Sequence, residues 1–115
     1  MALSEIEHKK IEKALGGFMA RRRPPAHLRD QLDLGHRITG QSVEIFEVRP
    51  QWDNPSDCIE IPIAKATYVR SNRSWKIYWQ RADLKWHRYE PQPSVRSIDN
   101  FLAVVEADEY ACFFG

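Results

Sequence analysis

The spacing of apolar side chains changes twice along this chain, and each change marks a change of secondary structure. Near the start, Ile6, Ile11, Ala14, Leu15, Phe18 and Met19 recur at close to helical spacing. Ser4-Glu5-Ile6-Glu7 has the form of a capping box: the Ser4 oxygen accepts from the amide at position 7, and the Glu7 carboxylate accepts from the amide at position 4. Glu5 and Lys9 form an i,i+4 pair of the favourable order. Gly16-Gly17 weakens the middle of this helix. Arg21-Arg22-Arg23 places cations at the negative end of the helix dipole, and Pro24-Pro25 ends the helix.

From Gln31 the apolar positions fall two or four apart, at Leu32, Leu34 and Ile38, and Thr39-Gly40-Gln41 reads as a turn. Residues 42–49 are rich in strand formers, and their apolar positions switch parity between Ile45 and Phe46. That switch predicts a bulge or burial on both faces. After a polar loop at 53–57, Ile59, Ile61 and Ile63 alternate with Glu60 and Pro62. Pro62 has no amide to donate, which argues for an edge or a bulge there. The strand continues through 64–70, turns at Ser71-Asn72-Arg73, returns through 75–81, and turns again at Ala82-Asp83-Leu84-Lys85 into Trp86–Glu90. Pro91 and Pro93 then end the sheet.

Val95, Ile98, Phe101, Leu102 and Val105 restore the helical spacing, with Ser94 or Ser97 as N-cap. The pattern predicts one α+β domain over 1–115: an antiparallel five-stranded meander sheet with an N-terminal and a C-terminal helix packed on one face. The expected core is Ile11, Leu15, Phe18, Ile98, Phe101, Leu102 and Val105 against Ile61, Ile77 and Trp79.

Composition fits a globular chain, 43% hydrophobic and 29% charged. A formal net charge of +1 gives no global argument for nucleic acid or membrane. The charge is segregated, however. Residues 65–90 carry seven basic and two acidic side chains, while residues 31–64 carry two and six. The start of the chain lacks a signal-peptide pattern, and no stretch approaches the length of a membrane span. The expected setting is the cytoplasm, with Cys58 and Cys112 as free thiols.

The segments Glu47-Val48-Arg49-Pro50, Ala64-Lys65-Ala66-Thr67-Tyr68-Val69-Arg70, Trp75-Lys76-Ile77-Tyr78-Trp79 and Lys85-Trp86-His87-Arg88-Tyr89, with Asp108 and the ending Phe113-Phe114-Gly115, resemble the bacterial family named domain of unknown function 3024. The resemblance runs from the N-terminal helix to the last glycine. It implies a small bacterial cytoplasmic protein and supplies no activity, cofactor or partner. That family often has glycine in the turn of the second hairpin, where this chain has Leu84.

The feature best suited to function is a basic–aromatic ribbon. Residues 75–89 hold Trp75, Tyr78, Trp79, Trp86 and Tyr89, interleaved with Lys76, Arg81, Lys85 and Arg88. Single strands are held by bases stacking on rings while phosphates meet cations. Trp75, Ile77 and Trp79 read as core facing the helices, and alternation sends Lys76, Tyr78 and Gln80 to the other face. If that face is uncovered, it is a platform. A second cluster is Lys65 with Arg49, Arg70 and Glu47: an anion site, a partly buried base, or a structural ion pair. The run Arg21-Arg22-Arg23 is either a phosphate or acidic-partner contact or a solvated helix end. His8, His27, His36 and His87 share no metal-ligand spacing, so no metal and no cofactor is expected. Cys58 or Cys112 would meet His36 or His87 only through the fold.

Three functions remain open on these residues. The favoured one is a non-catalytic binding module using Arg49, Lys65, Arg70, Lys76, Tyr78, Arg81, Lys85 and Arg88, with single-stranded nucleic acid or an acidic protein segment as partner. The others are a small enzyme built around Lys65, Glu47 and Arg49, and a protein–protein assembly domain. A monomer or weak homodimer is expected.

Overall fold

A computed structural model describes residues 3–114; Met1, Ala2 and Gly115, the last residue of the C-terminal motif, lie outside the described residues. Helix α1 spans Glu5–Arg22 and opens with both halves of the capping box, Glu7 N–H donating to Ser4 Oγ and Ser4 N–H to Glu7 Oε1. The Arg23 amide closes the helix on the Met19 carbonyl before the prolines. Ile11, Leu15 and Phe18 form its buried stripe, whereas Ile6 is exposed; it lies off the stripe that the sheet covers.

The strands are β1 (Asp33–Thr39), β2 (Ser42–Pro50), β3 (Cys58–Val69), β4 (Ser74–Gln80), β5 (Trp86–Arg88) and β6 (Ser94–Val95), followed by helix α2 (Ile98–Ala107). β1 to β5 form an antiparallel meander in sequence order. The expected five strands gain a sixth because the chain does not leave the sheet at Pro91 and Pro93. β6 returns to β4, with Val95 opposite Trp75, so Val95 belongs to the sheet and Ser97 is the cap of α2. Two backbone bonds stitch the gap between β5 and β6, from Tyr89 N–H to Ile77 O and from Ile77 N–H to Pro93 O.

The parity switch in β2 has its counterpart in the register. Ile45 faces Ala64, but Phe46 faces Pro62, leaving Ile63 as the extra residue of a bulge in β3. Pro62 therefore lies beside the bulge in a central strand, where its missing amide is tolerated.

The buried residues of both helices join Val43, Ile45, Ile63, Ala64, Ala66, Trp75 and Ile77 in one cluster, so both helices lie on one face of the sheet. All seven helix residues expected in the core are buried there, as is Ile77. Ile61 is not: beyond the bulge, β2 and β3 run past the helix layer, and Ile59 and Ile61 are 40% and 37% exposed. Trp79 is only partly buried, at the rim of the same cluster.

The C-terminal segment folds back on the sheet. Asp108, at φ +40°, accepts from the amides of Phe113 and Phe114, which seats the Phe113 ring 4.8 Å from that of Tyr89. The arginine run at the end of α1 is consumed by the fold. Arg21 pairs with Glu106, Arg23 pairs with Asp33, and Arg22 lies over the Phe114 ring.

Candidate functional site

Residues directly opposite in antiparallel strands share a face. The face away from the helices therefore carries a row that crosses five strands: Arg37, Glu44, Lys65, Tyr78 and Arg88. The row beside it is Thr39, Ser42, Thr67, Lys76 and Ser94, with the Ser42 and Thr67 hydroxyls hydrogen-bonded at 2.9 Å. On the other side stand Gly35, Phe46 and Pro62, and across the sheet Gln80 and Trp86. Neither helix covers this face.

Its centre is Lys65. The ammonium lies 5.2 Å from the centroid of the Tyr78 ring and 5.0 Å from that of Trp86. Small neighbours on β3, Ala64 and Ala66, point into the core, so the lysine stem rises alone between the rings. Such contacts at a half-open surface stabilise by about 0.5–1 kcal/mol, so the ammonium is held but readily exchanged. At the β1 side, Arg37 lies 4.5 Å over the Phe46 ring and pairs with Glu60. The Phe46 ring covers Gly35, whose missing side chain leaves the space that the ring fills. Lys65, Lys76 and Arg88 have no ion pair among the described residues.

Of the eight expected binding residues, the structure brings together Lys65, Lys76, Tyr78 and Arg88. The other four lie elsewhere. Arg49 pairs with Glu47 on the projecting end of β2. Arg70 pairs with Glu7 at the opposite end of the sheet and lies over Tyr68. Arg81 lies over the Trp79 ring, beyond the end of β4. Lys85 sits in the exposed turn, its amide bonded to Asp83. Glu47 faces Leu34 and Ile61, on the helix side, so it and Lys65 stand on opposite faces and form no lysine–carboxylate pair.

Of the five ribbon aromatics, Trp75 and Tyr89 are buried, and Tyr78, Trp79 and Trp86 are half-buried; of these three, Tyr78 and Trp86 stand on the face away from the helices. Trp86 belonged to the expected ribbon but not to the eight expected binding residues, and Phe46 to neither. The signal for Trp86 was its offset from Tyr78 across a short turn; for Phe46 it was the parity switch.

Two other arrangements bear on chemistry. Cys112 and His87 line one cavity of about 210 Å³, and His87 Nε2 is hydrogen-bonded to Asp83 at 2.8 Å. Burial, aided by the Asp108 carboxylate, pushes the Cys112 thiol up, away from the thiolate that a nucleophile requires. Among the described residues no three His, Cys, Asp or Glu side chains gather to hold a metal, and both cysteines are free. No helix among them is long and apolar enough to cross a membrane.

Fold and face together define a two-layer α+β domain with one helix-covered face and one open, cation–aromatic face. The chain belongs to the family described as a domain of unknown function (DUF3024), whose model matches residues 3–115. No match was found among curated proteins or solved structures.

Proposed function

We propose that this protein is a non-catalytic binding module whose open sheet face takes single-stranded nucleic acid. The observation that carries the proposal is the Lys65 ammonium poised over Tyr78 and Trp86, with Lys76 and Arg88 beside it. In the free protein the rings hold the cation. When a strand arrives, a base takes the ring face and the ammonium swings on its flexible stem to a phosphate, so both contacts exchange for stronger ones. An acidic protein segment would use the cations but leave the rings unsatisfied, which makes the single strand the better fit.

The test is titration of a short labelled oligothymidylate at low salt, with heparin and polyglutamate as comparators. Tyr78→Ala and Trp86→Ala each weaken oligothymidylate binding by about 1–3 kcal/mol and leave heparin binding unchanged. Lys76→Ala acts instead on the salt dependence. Absence of saturable binding, or equal loss of heparin and oligothymidylate binding in Tyr78→Ala, refutes the proposal. Tighter binding of polyglutamate than of oligothymidylate identifies an acidic protein partner instead.

A further inference from the structure

A cavity of about 730 Å³ lies on the other side of the molecule, between α1 and the start of α2. This is within the range of about 300–1,000 Å³ typical of small-molecule sites. Its floor is apolar and aromatic: Ile11, Tyr68, Trp75 and Ile98. The Tyr68 and Trp75 rings are 5.1 Å apart and tilted by 48°, so Tyr68, half-buried, leaves part of its ring toward the groove.

The wall formed by α1 is kept low by Ala14 and Gly17. Gly17 has no packing reason to be glycine. A methyl group there would meet only the tip of the Arg21 side chain, at 3.3 Å. Glycine in a helix interior nevertheless costs about 1 kcal/mol relative to alanine. At Gly17 the missing side chain leaves this stretch of the groove wall open.

The charge around the groove is not balanced. Lys10, Lys13, Arg21 and Arg96 line it against Glu7 and Asp99. Glu7 is engaged by Arg70, which adds a further cation at that end, and Arg21 is engaged by Glu106. Lys10, Lys13 and Arg96 have no ion pair among the described residues. An aromatic floor below an uncompensated basic rim is complementary to a flat apolar body carrying a negative group.

We infer that this groove binds a small planar aromatic anion, an aryl carboxylate or aryl phosphate, with the ring against Tyr68 and the charge among Lys10, Lys13 and Arg96. The site is separate from the open sheet face and does not depend on what that face binds.

Calorimetric titration of the full chain with naphthoate, naphthyl phosphate, naphthol and inorganic phosphate tests it. The expected result is saturable binding of one equivalent of naphthoate or naphthyl phosphate. The tighter of the two identifies the anionic group, and naphthol and inorganic phosphate bind more weakly than either. Lys13→Glu and Arg96→Glu each reduce affinity by about threefold or more at low salt. Gly17→Leu fills the groove and removes the binding heat while the melting temperature holds or rises. Should Gly17→Leu lower the melting temperature, Ala14→Leu serves as the second groove-filling variant. Wild-type affinity in a folded groove-filling variant, equal binding of naphthol, or equal binding of inorganic phosphate overturns the inference. Displacement of naphthoate by oligothymidylate also overturns it, because the groove would then be part of a nucleic-acid surface.

Discussion

Leu84 is one of four described non-glycine residues at positive φ, and it has the largest φ of the four. It sits in the turn between β4 and β5 at φ +63°, a conformation that β-carbon sterics disfavour for a leucine. The turn leaves it no alternative. Its amide donates to the Arg81 carbonyl at 2.9 Å, and Asp83 ties down both the Lys85 amide and the His87 ring. The side chain is 78% exposed, so little burial offsets the strain. The left-handed conformation costs a non-glycine residue about 1–2 kcal/mol. Glycine removes that cost but gives back about 0.5–1 kcal/mol through its freer unfolded chain. Leu84→Gly is therefore expected to stabilise by about 0.5–1 kcal/mol, raising the melting temperature by about 2–6 °C at this chain length. Leu84→Ala is the control: it removes the exposed side chain and keeps the β-carbon, so its stability stays within about 0.5 kcal/mol of the parent. Thermal and urea unfolding followed by circular dichroism measure both. A glycine variant no more stable than the alanine variant would refute the strain argument.

Two further substitutions probe the sheet and its edge. A β-carbon added at Gly35 would stand 2.5 Å from the Phe46 ring, so Gly35→Ala is expected to destabilise by about 1–3 kcal/mol. Combining it with Phe46→Ala should cost less than the sum of the two single changes, a shortfall that a double-mutant cycle in urea reads directly. Asp33 pairs with Arg23 through two bonds of 2.8 Å, and this, with the Leu34 amide, holds its carboxyl at about 2, below the usual 3.8. Because the folded value is the lower one, the pair's contribution, on the order of 1 kcal/mol for an exposed pair, is complete above the unfolded value. It is lost as pH falls through the folded one. The stability gap between the parent and Asp33→Asn should accordingly close between about pH 4 and pH 2, and a gap that stays constant over that window would count against the pairing.

Much of the fold was legible because local signals agreed with one another. The Ser4–Glu7 box, the stripe Ile11–Leu15–Phe18, the strand alternation and the stripe Ile98–Phe101–Leu102–Val105 all survive in the structure. The errors occur where long-range geometry decides. Ile61 continues a clean alternation, yet the Ile63 bulge ends the helix-covered part of β3 before it, and a period of two carries no information about where a helix layer stops. Val95 fits the helical spacing of the residues after it, but Trp75 offers a strand partner that only the fold supplies. The open face was half legible. Alternation within β4 correctly separated Tyr78 from its tryptophan neighbours. Lys65 was noticed, but grouped with Glu47 and Arg49 by nearness in the sheet, without the knowledge that the bulge and strand parity place them on different faces.

The same difference between sequence blocks and faces bounds how the open face must bind. Seven basic residues fall within 65–90, which suggests a strong electrostatic site. The fold disperses them: Arg70 goes to an ion pair, Arg81 to the Trp79 ring, and Arg73 and Lys85 to turns, leaving Lys65, Lys76 and Arg88 on the face with no ion pair among the described residues. Arg37 joins the face from a different block, but it is paired with Glu60. Each phosphate neutralised on a single strand contributes about −0.7 to the slope of log affinity against log salt, so three cations give a slope of about −2. Coulomb attraction of that size cannot sustain tight binding near physiological salt, and the two rings must supply the larger share. Ring removal should therefore weaken binding at every salt concentration, while removal of Lys76 should flatten the slope by about 0.7. A measured slope near −5 would require Arg70, Arg73, Arg81 and Lys85 to reach the same strand. Their placement off the face does not allow this, so such a result would show that the nucleic acid lies elsewhere on the molecule.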